Sequence, residues 1–190
     1  MRLDPDHAEV LRSVPPGGGR ALDLGCGEGE LASLLAARGL RVVALDRHAS
    51  SLARAARDPR VACVRGDACA TPLPNAAFDL VAVVRVLHHL PPEDALQEIV
   101  RLVRPGGVVV VVGLYRLRTP ADYAWGVAGK IARLLRSGVP QAEHSQAPWA
   151  DVHEDLATIR RKLASALPGV RVERTPFIRY RAVWRKLASP

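Results

Sequence analysis

Apolar residues in this chain gather into short unbroken runs, and the segments between them repeat at helical spacing. Ala21–Leu24, Arg41–Asp46, Val61–Arg65, Phe78–Val84 and Val108–Gly113 are five such runs. They are rich in valine and lack strict apolar–polar alternation, so each predicts a strand buried on both faces. Between them, Leu31, Leu34 and Leu35 predict a helix over Glu28–Arg38, stopped by Gly39. Ser50–Arg57 predicts a second helix, closed by Asp58-Pro59. Pro92–Leu102 predicts a third, with proline at its start and Leu96, Ile99, Val100 and Val103 on one stripe. Strands alternating with helices give an α/β fold with a mostly parallel sheet in three layers.

The pattern loosens after residue 115. Asp122–Arg136 predicts a helix, Gly138–Trp149 a connection, and Asp151–Leu167 a helix striped by Leu156, Ile159, Leu163 and Leu167. Val170–Pro176 and Tyr180–Leu187 then predict an antiparallel pair joined through Phe177–Arg179. At the other end, Pro15-Pro16-Gly17-Gly18-Gly19 punctuates the chain, and the ordered core is expected to begin after it. The division expected is an N-terminal segment over 1–19 and a single domain over 20–190.

A chain of 190 residues supports one sizeable core. No apolar run approaches the length of a membrane span, and the first residues carry acids rather than a secretory signal. The three cysteines, Cys26, Cys63 and Cys69, form no CxxC pair. That argues against a zinc site or a disulfide scaffold, and for a reduced, cytoplasmic interior. Net charge is +8, unevenly spread: residues 1–115 hold 13 basic and 13 acidic side chains, residues 116–190 hold 14 and 6. Such an excess steers anions or RNA, or coats a solvated face.

The candidate chemistry begins at ALDLGCGEG, residues 21–29. Gly25, Gly27 and Gly29 fall between the first strand and the first helix, where glycine lets a ligand approach the backbone closely. In a doubly wound sheet this is the carboxyl end of the first strand, where ligands sit. Asp46 ends the second strand, at a position suited to the two hydroxyls of a ribose. Asp67 follows the third strand, where a carboxylate can accept from the exocyclic amine of adenine. Asp23 lies inside the first strand and needs hydrogen bonds or a cation to be buried there. The dinucleotide fingerprint GxGxxG fails, because its sixth position is Glu30, and no GxxxxGK[ST] loop is present. What remains is an adenosine ligand with positive character and no phosphates.

On these residues the chain resembles the class I S-adenosylmethionine-dependent methyltransferases of the small-molecule type. LDLGCGEG at 22–29, the acid of VVALD at 42–46, GDA at 66–68, FDLVAVVRVLHHL at 78–90 and LVRPGGVVVVVG at 102–113 resemble its successive motifs. VRVERTPFIRYRAVWRKL resembles its closing hairpin. The resemblance implies a Rossmann-like sheet of seven strands in the order 3-2-1-4-5-7-6, with an antiparallel last strand. It implies S-adenosylmethionine as cofactor and a cofactor site of Asp23, Gly25, Cys26, Gly27, Asp46, Arg47, Asp67, Ala68 and Arg85, with no metal. Gly25 and Gly27 would lie along the methionyl chain and Asp23 by its amino group. Arg85 would face either the cofactor's carboxylate or the substrate.

The expected reaction is methyl transfer to an O, N, S or C nucleophile of a small molecule. His88 and His89, at the exit of the fourth strand, are the candidate catalytic pair, with packing as their rival role. Residues 115–168 are the expected helical, substrate-facing region. Tyr115, Tyr123, Trp125, His144, Trp149 and His153 are its candidate walls. RNA or protein, drawn by the basic C-terminal region, is the alternative acceptor, although no Asn/Asp-Pro-Pro-aromatic sequence follows strand four. A non-catalytic cofactor-binding module is the other alternative. A monomer or homodimer is expected.

Overall fold

The structure is a computed structural model describing residues 3–135, 152–175 and 178–188. Its elements in chain order are α1 (Pro5–Leu11), β1 (Gly19–Leu24), α2 (Glu30–Ala36), β2 (Leu40–Asp46), α3 (Ala49–Ala55), β3 (Val61–Arg65) and β4 (Phe78–Val84). A 3-10 turn (Leu87–His89) follows, then α4 (Pro92–Leu102), β5 (Val103–Leu114), α5 (Pro120–Leu135), α6 (Leu156–Ala166), β6 (Arg171–Thr175) and β7 (Arg179–Arg185). The seven strands form one sheet in the order β3-β2-β1-β4-β5-β7-β6. β1 to β5 pair in parallel, and β7 runs antiparallel to both β5 and β6. This is the order and direction the resemblance implied.

The two faces of the sheet carry two cores, and β5 shows why. Val108, Val110 and Val112 face one side with Val10, Leu31, Leu35 and Leu80. Val109 and Val111 face the other with Phe78, Leu96, Ile99, Leu102 and Leu163. A strand that must satisfy both helical layers has no place for polar alternation.

Three expectations about element positions need correction. Ordered structure begins before the Pro-Gly stretch, because α1 docks on the sheet with Val10 fully buried and Asp6 and His7 nearly so. β5 begins at Val103 rather than Val108. Pro105-Gly106-Gly107 lie inside it as an irregularity that lets Phe78 pair with Val103 and Leu80 with Val108. Gly106 takes φ +77°, and the backbones of Gly106, Gly107 and Lys186 exchange hydrogen bonds there. α6 starts at Leu156, five residues late. Asp155 is its cap, with the Thr158 N–H donating to its carboxylate at 2.8 Å.

The connection expected over Gly138–Trp149, with His144 and Trp149, lies outside the described residues. Among the described residues, no helix is long and apolar enough to cross a membrane.

Candidate active site

β1, β2, β3 and β4 end on one edge of the sheet, and the segments leaving them enclose a cleft of about 540 Å³. Topology makes this cleft. β1 sits between β2 and β4, so the chain leaves β1 and β4 toward opposite faces and opens a crevice between them. Gly25, Gly27, Asp46, Arg47, Asp67, Ala68, Arg85 and His89 line it, together with His48 and Ser51.

The glycine turn is held by backbone. The N–H groups of Gly25 and Cys26 both donate to the Leu45 carbonyl, at 2.7 and 2.9 Å. Gly25 has φ +76°, and a Cβ there would lie 2.4 Å from a Val86 methyl. Gly27 has φ +53°, and a Cβ there would meet nothing within 4 Å. The first glycine is thus fixed by packing and the second opens onto free space.

Asp46 is buried yet bound. Its Oδ2 accepts from the Gly27 N–H at 2.9 Å and its Oδ1 from the His48 N–H at 2.8 Å. Each oxygen keeps an acceptor position, so the carboxylate can brace the turn and still receive two ligand hydroxyls. Asp67 uses Oδ1 for the Cys69 N–H at 2.9 Å, and its side chain is exposed to the cleft. A cleft with two carboxylates, a backbone-tight glycine turn and no loop built for phosphates fits an adenosyl group of positive charge.

Two residues of the expected set do not line the cleft. Asp23 is buried in the sheet with Oδ2 unbonded. Burial pushes its carboxyl up to about 7, the Ala32 N–H opposes the rise and nearby Asp46 adds to it. The Cys26 Sγ lies 3.5 Å from the Gly27 carbonyl, and burial raises its thiol far above the ordinary range. Both lie off the cleft surface.

Arg85 lines the cleft in a left-handed conformation, φ +60°. Its guanidinium reaches Asp4 at 3.3 Å and Asp6 at 3.5 Å on the N-terminal segment. Arg179 also meets Asp6, at 3.3 Å. Burial raises the Asp6 carboxyl, opposed by Arg179 and Arg85. Arg85 is therefore the joint between the cleft and α1.

The two histidines part company. Their rings are 3.9 Å apart at the centroids. His89 faces the 540 Å³ cleft, while His88 faces a second cavity of about 140 Å³. His153 lines that second cavity. Of the other candidate walls among the described residues, Tyr115 is core at 2% exposure, and Tyr123 and Trp125 are exposed at 58% and 43%. His48 and Ser51 were missed by sequence reasoning. Their signal is position: His48 is two residues past the strand-end acid, at the N-cap of α3, and Ser51 is in the first turn of that helix.

A family model described as a methyltransferase domain matches residues 22–111. An uncharacterized methyltransferase of Mycobacterium tuberculosis is 34% identical over 187 residues, covering 90% of this chain and 89% of that one. This chain belongs to the S-adenosylmethionine-dependent methyltransferases. The methyltransferase is also similar to the ubiquinone biosynthesis O-methyltransferase of Xanthomonas campestris. There the identity is 37% over 151 residues, covering 73% of this chain and 59% of that one.

In fold the methyltransferase matches a SAM-dependent methyltransferase of Methanosarcina mazei, with a TM-score of 0.70 at 16% identity over the full length of both chains. It matches the [4+2]-cyclase SpnF with a TM-score of 0.69 at 19% identity, covering 97% of this chain and 81% of that one. Those two likenesses are of fold, and a cyclase among them illustrates that fold alone does not fix a reaction. Membership of the family gives S-adenosylmethionine as the cofactor and transfer of its methyl group as the activity.

Proposed function

We propose that the methyltransferase methylates an oxygen of a small molecule. In this reading Asp46 receives the ribose hydroxyls, Asp67 and Ala68 the adenine, and the Gly25–Gly27 turn the methionyl chain. Arg47 flanks the ribose. Asp23 and Cys26 support the turn from beneath. The observation that carries the reading is the meeting of Gly25, Gly27, Asp46 and Asp67, from the ends of three successive strands, around one cleft. Oxygen is favoured by the Xanthomonas relative, whose name is that of an O-methyltransferase.

When bound, S-adenosylmethionine supplies a methyl group already activated by its sulfonium. What the chain adds is position and proton handling. His88 and His89 stand between the two cavities, and an imidazole there accepts the proton that an acceptor hydroxyl must lose. An RNA or protein acceptor finds less support. Arg174, Arg179 and Arg181 of the basic region are engaged inside the fold with Asp122, Asp6, and Glu9 with Glu173.

Calorimetry with S-adenosylhomocysteine tests the cofactor site. The native protein should bind it, NAD should not compete, and Asp46→Ala should bind at least tenfold more weakly. Tight NAD binding, or an unchanged Asp46→Ala affinity, would overturn the assignment.

A further inference from the structure

Five large apolar side chains are exposed among the described residues, and three of them, Tyr123, Trp125 and Val127, fall within two turns of α5. From these and from the charge around them, we propose that α5 lies on the surface of an anionic lipid bilayer.

The start of α5 is inverted for a helix facing water. Asp122 points inward and is buried. Its carboxylate accepts from the Arg118 and Thr119 N–H groups at 3.1 and 2.9 Å and meets the Arg174 guanidinium at 2.6 Å. Gly126, one turn on, also faces inward, where a Cβ would lie 3.8 Å from Leu117 and 3.9 Å from Ile178. Pro120, Ala121, Tyr123, Ala124, Trp125 and Val127 are all exposed. A surface helix ordinarily buries its apolar face and shows its charges. Here the charge is buried, and tyrosine, tryptophan and valine are shown at 58%, 43% and 56% exposure. Apolar side chains clustered in this way mark a contact surface.

Charge selects what makes the contact. Residues 116–135 carry Arg116, Arg118, Lys130 and Arg133 against one acid, Asp122, which is already engaged by Arg174. Arg116 and Arg118 are exposed, the latter 3.6 Å from Asp155. A second copy of the chain docking here about a two-fold axis would set this basic segment against itself. Nucleic acid would satisfy the arginines but not Val127 and the alanines. Anionic headgroups above an acyl boundary satisfy both kinds of residue at once.

Residue type and length agree. Tyrosine and tryptophan join an apolar body to a polar tip and collect where lipid meets water. The Trp125 indole donates to the Thr175 carbonyl at 3.3 Å, which ties its polar edge to the protein and leaves ring surface outside. At 16 residues α5 is shorter than the roughly 20 that cross a bilayer, so it rests along the surface. β5 runs parallel to β4 and delivers α5 at the edge where the 540 Å³ cleft opens. Docking through α5 brings that edge to the lipid.

Vesicle sedimentation with the full-length protein tests the proposal. Vesicles of phosphatidylglycerol mixed with phosphatidylcholine should bind at least tenfold more tightly than vesicles of phosphatidylcholine alone, and added salt should weaken them. Tyr123→Ser with Val127→Ser should weaken the mixed vesicles at least tenfold and leave thermal unfolding unchanged. Val127→Glu, which sets an acid on the same face, is the second variant and should do the same. Arg116→Gln with Arg118→Gln should remove most of the preference for phosphatidylglycerol. Absent binding to the mixed vesicles, or equal binding to phosphatidylcholine alone, overturns the proposal. So does binding that survives both the serine pair and Val127→Glu, which would assign it to the basic charge at large. If the serine pair instead splits a dimer in sedimentation velocity, the face belongs to a second copy. If it instead abolishes binding of an RNA oligonucleotide and spares the vesicles, the face belongs to nucleic acid. Either result also overturns the proposal.

Discussion

Around the 540 Å³ cleft the walls are mostly strand ends: a glycine turn, two carboxylates and the backbone N–H groups that hold them. Around the 140 Å³ cavity they are side chains, brought from the 3-10 turn, α4, β5, α6 and β7. The first site is made wherever parallel strands end side by side, so topology produces it and a few residues tune it. The second has no topological guarantee. It exists because leucines of separate elements leave one gap unfilled, and each of them can be exchanged without altering the sheet.

The largest effect should come from Gly25→Val. The left-handed backbone costs a branched side chain about 1–2 kcal/mol, and displacing Val86 adds about 1–3 kcal/mol. Thermal unfolding should show that loss, and S-adenosylhomocysteine affinity should fall more than a hundredfold. Wild-type affinity would mean that the turn is not the cofactor's seat.

Asp23 gives the next effect, and its sign is fixed. Its folded carboxyl titrates near 7 against an ordinary 3.8. Between about pH 4 and 7 the folded state therefore holds a proton that the unfolded state has lost. Native stability contributed by this group is present at low pH and falls as pH rises through 7. Asp23→Asn removes the dependence, so its advantage over the native protein should grow by up to about 4 kcal/mol between pH 4 and pH 8. Denaturant midpoints without cofactor, measured at both pH values, check this. A constant gap would show that Asp23 is solvated through the cleft.

Asp46→Ala leaves the Gly27 and His48 N–H groups without their carboxylate. The expected stability loss is about 1–3 kcal/mol, in addition to the weakened cofactor. Smallest of all should be Lys162→Met at the rim of the second cavity. The Glu154–Lys162 pair is more than a third exposed on each side, and such pairs contribute about 0–1 kcal/mol. A larger loss by denaturant unfolding would mean that the second cavity is held by charge, and would erase the contrast with the cleft.

Legibility in the sequence follows the same division. β3, β4 and α4 have the expected bounds, because a valine-rich strand and a helix opened by proline carry their signals locally. α1 was not legible: at seven residues its periodicity is too short, and its burial depends on Arg85 and Arg179 far along the chain. The bulge in β5 was not legible either, since its register is set by pairing with β4 and by the Lys186 backbone. Among the candidate residues, Gly25, Gly27, Asp46 and Asp67 were readable from their places at strand ends. Whether Asp23 and Cys26 reach the cleft surface was not, and neither was the division of His88 from His89 between two cavities.

The sequence by itself determined the strand–helix rhythm, the glycine turn and the acids after successive strands, hence the sheet and the kind of ligand at its edge. These are local or nearest-neighbour properties of a chain. Tertiary structure alone decided which of those residues look into the cleft, what Arg85 is paired with, and that a second cavity opens beside His88. Such features are gaps and contacts between segments up to about a hundred residues apart, and their shape is set by how side chains pack rather than by their order along the chain.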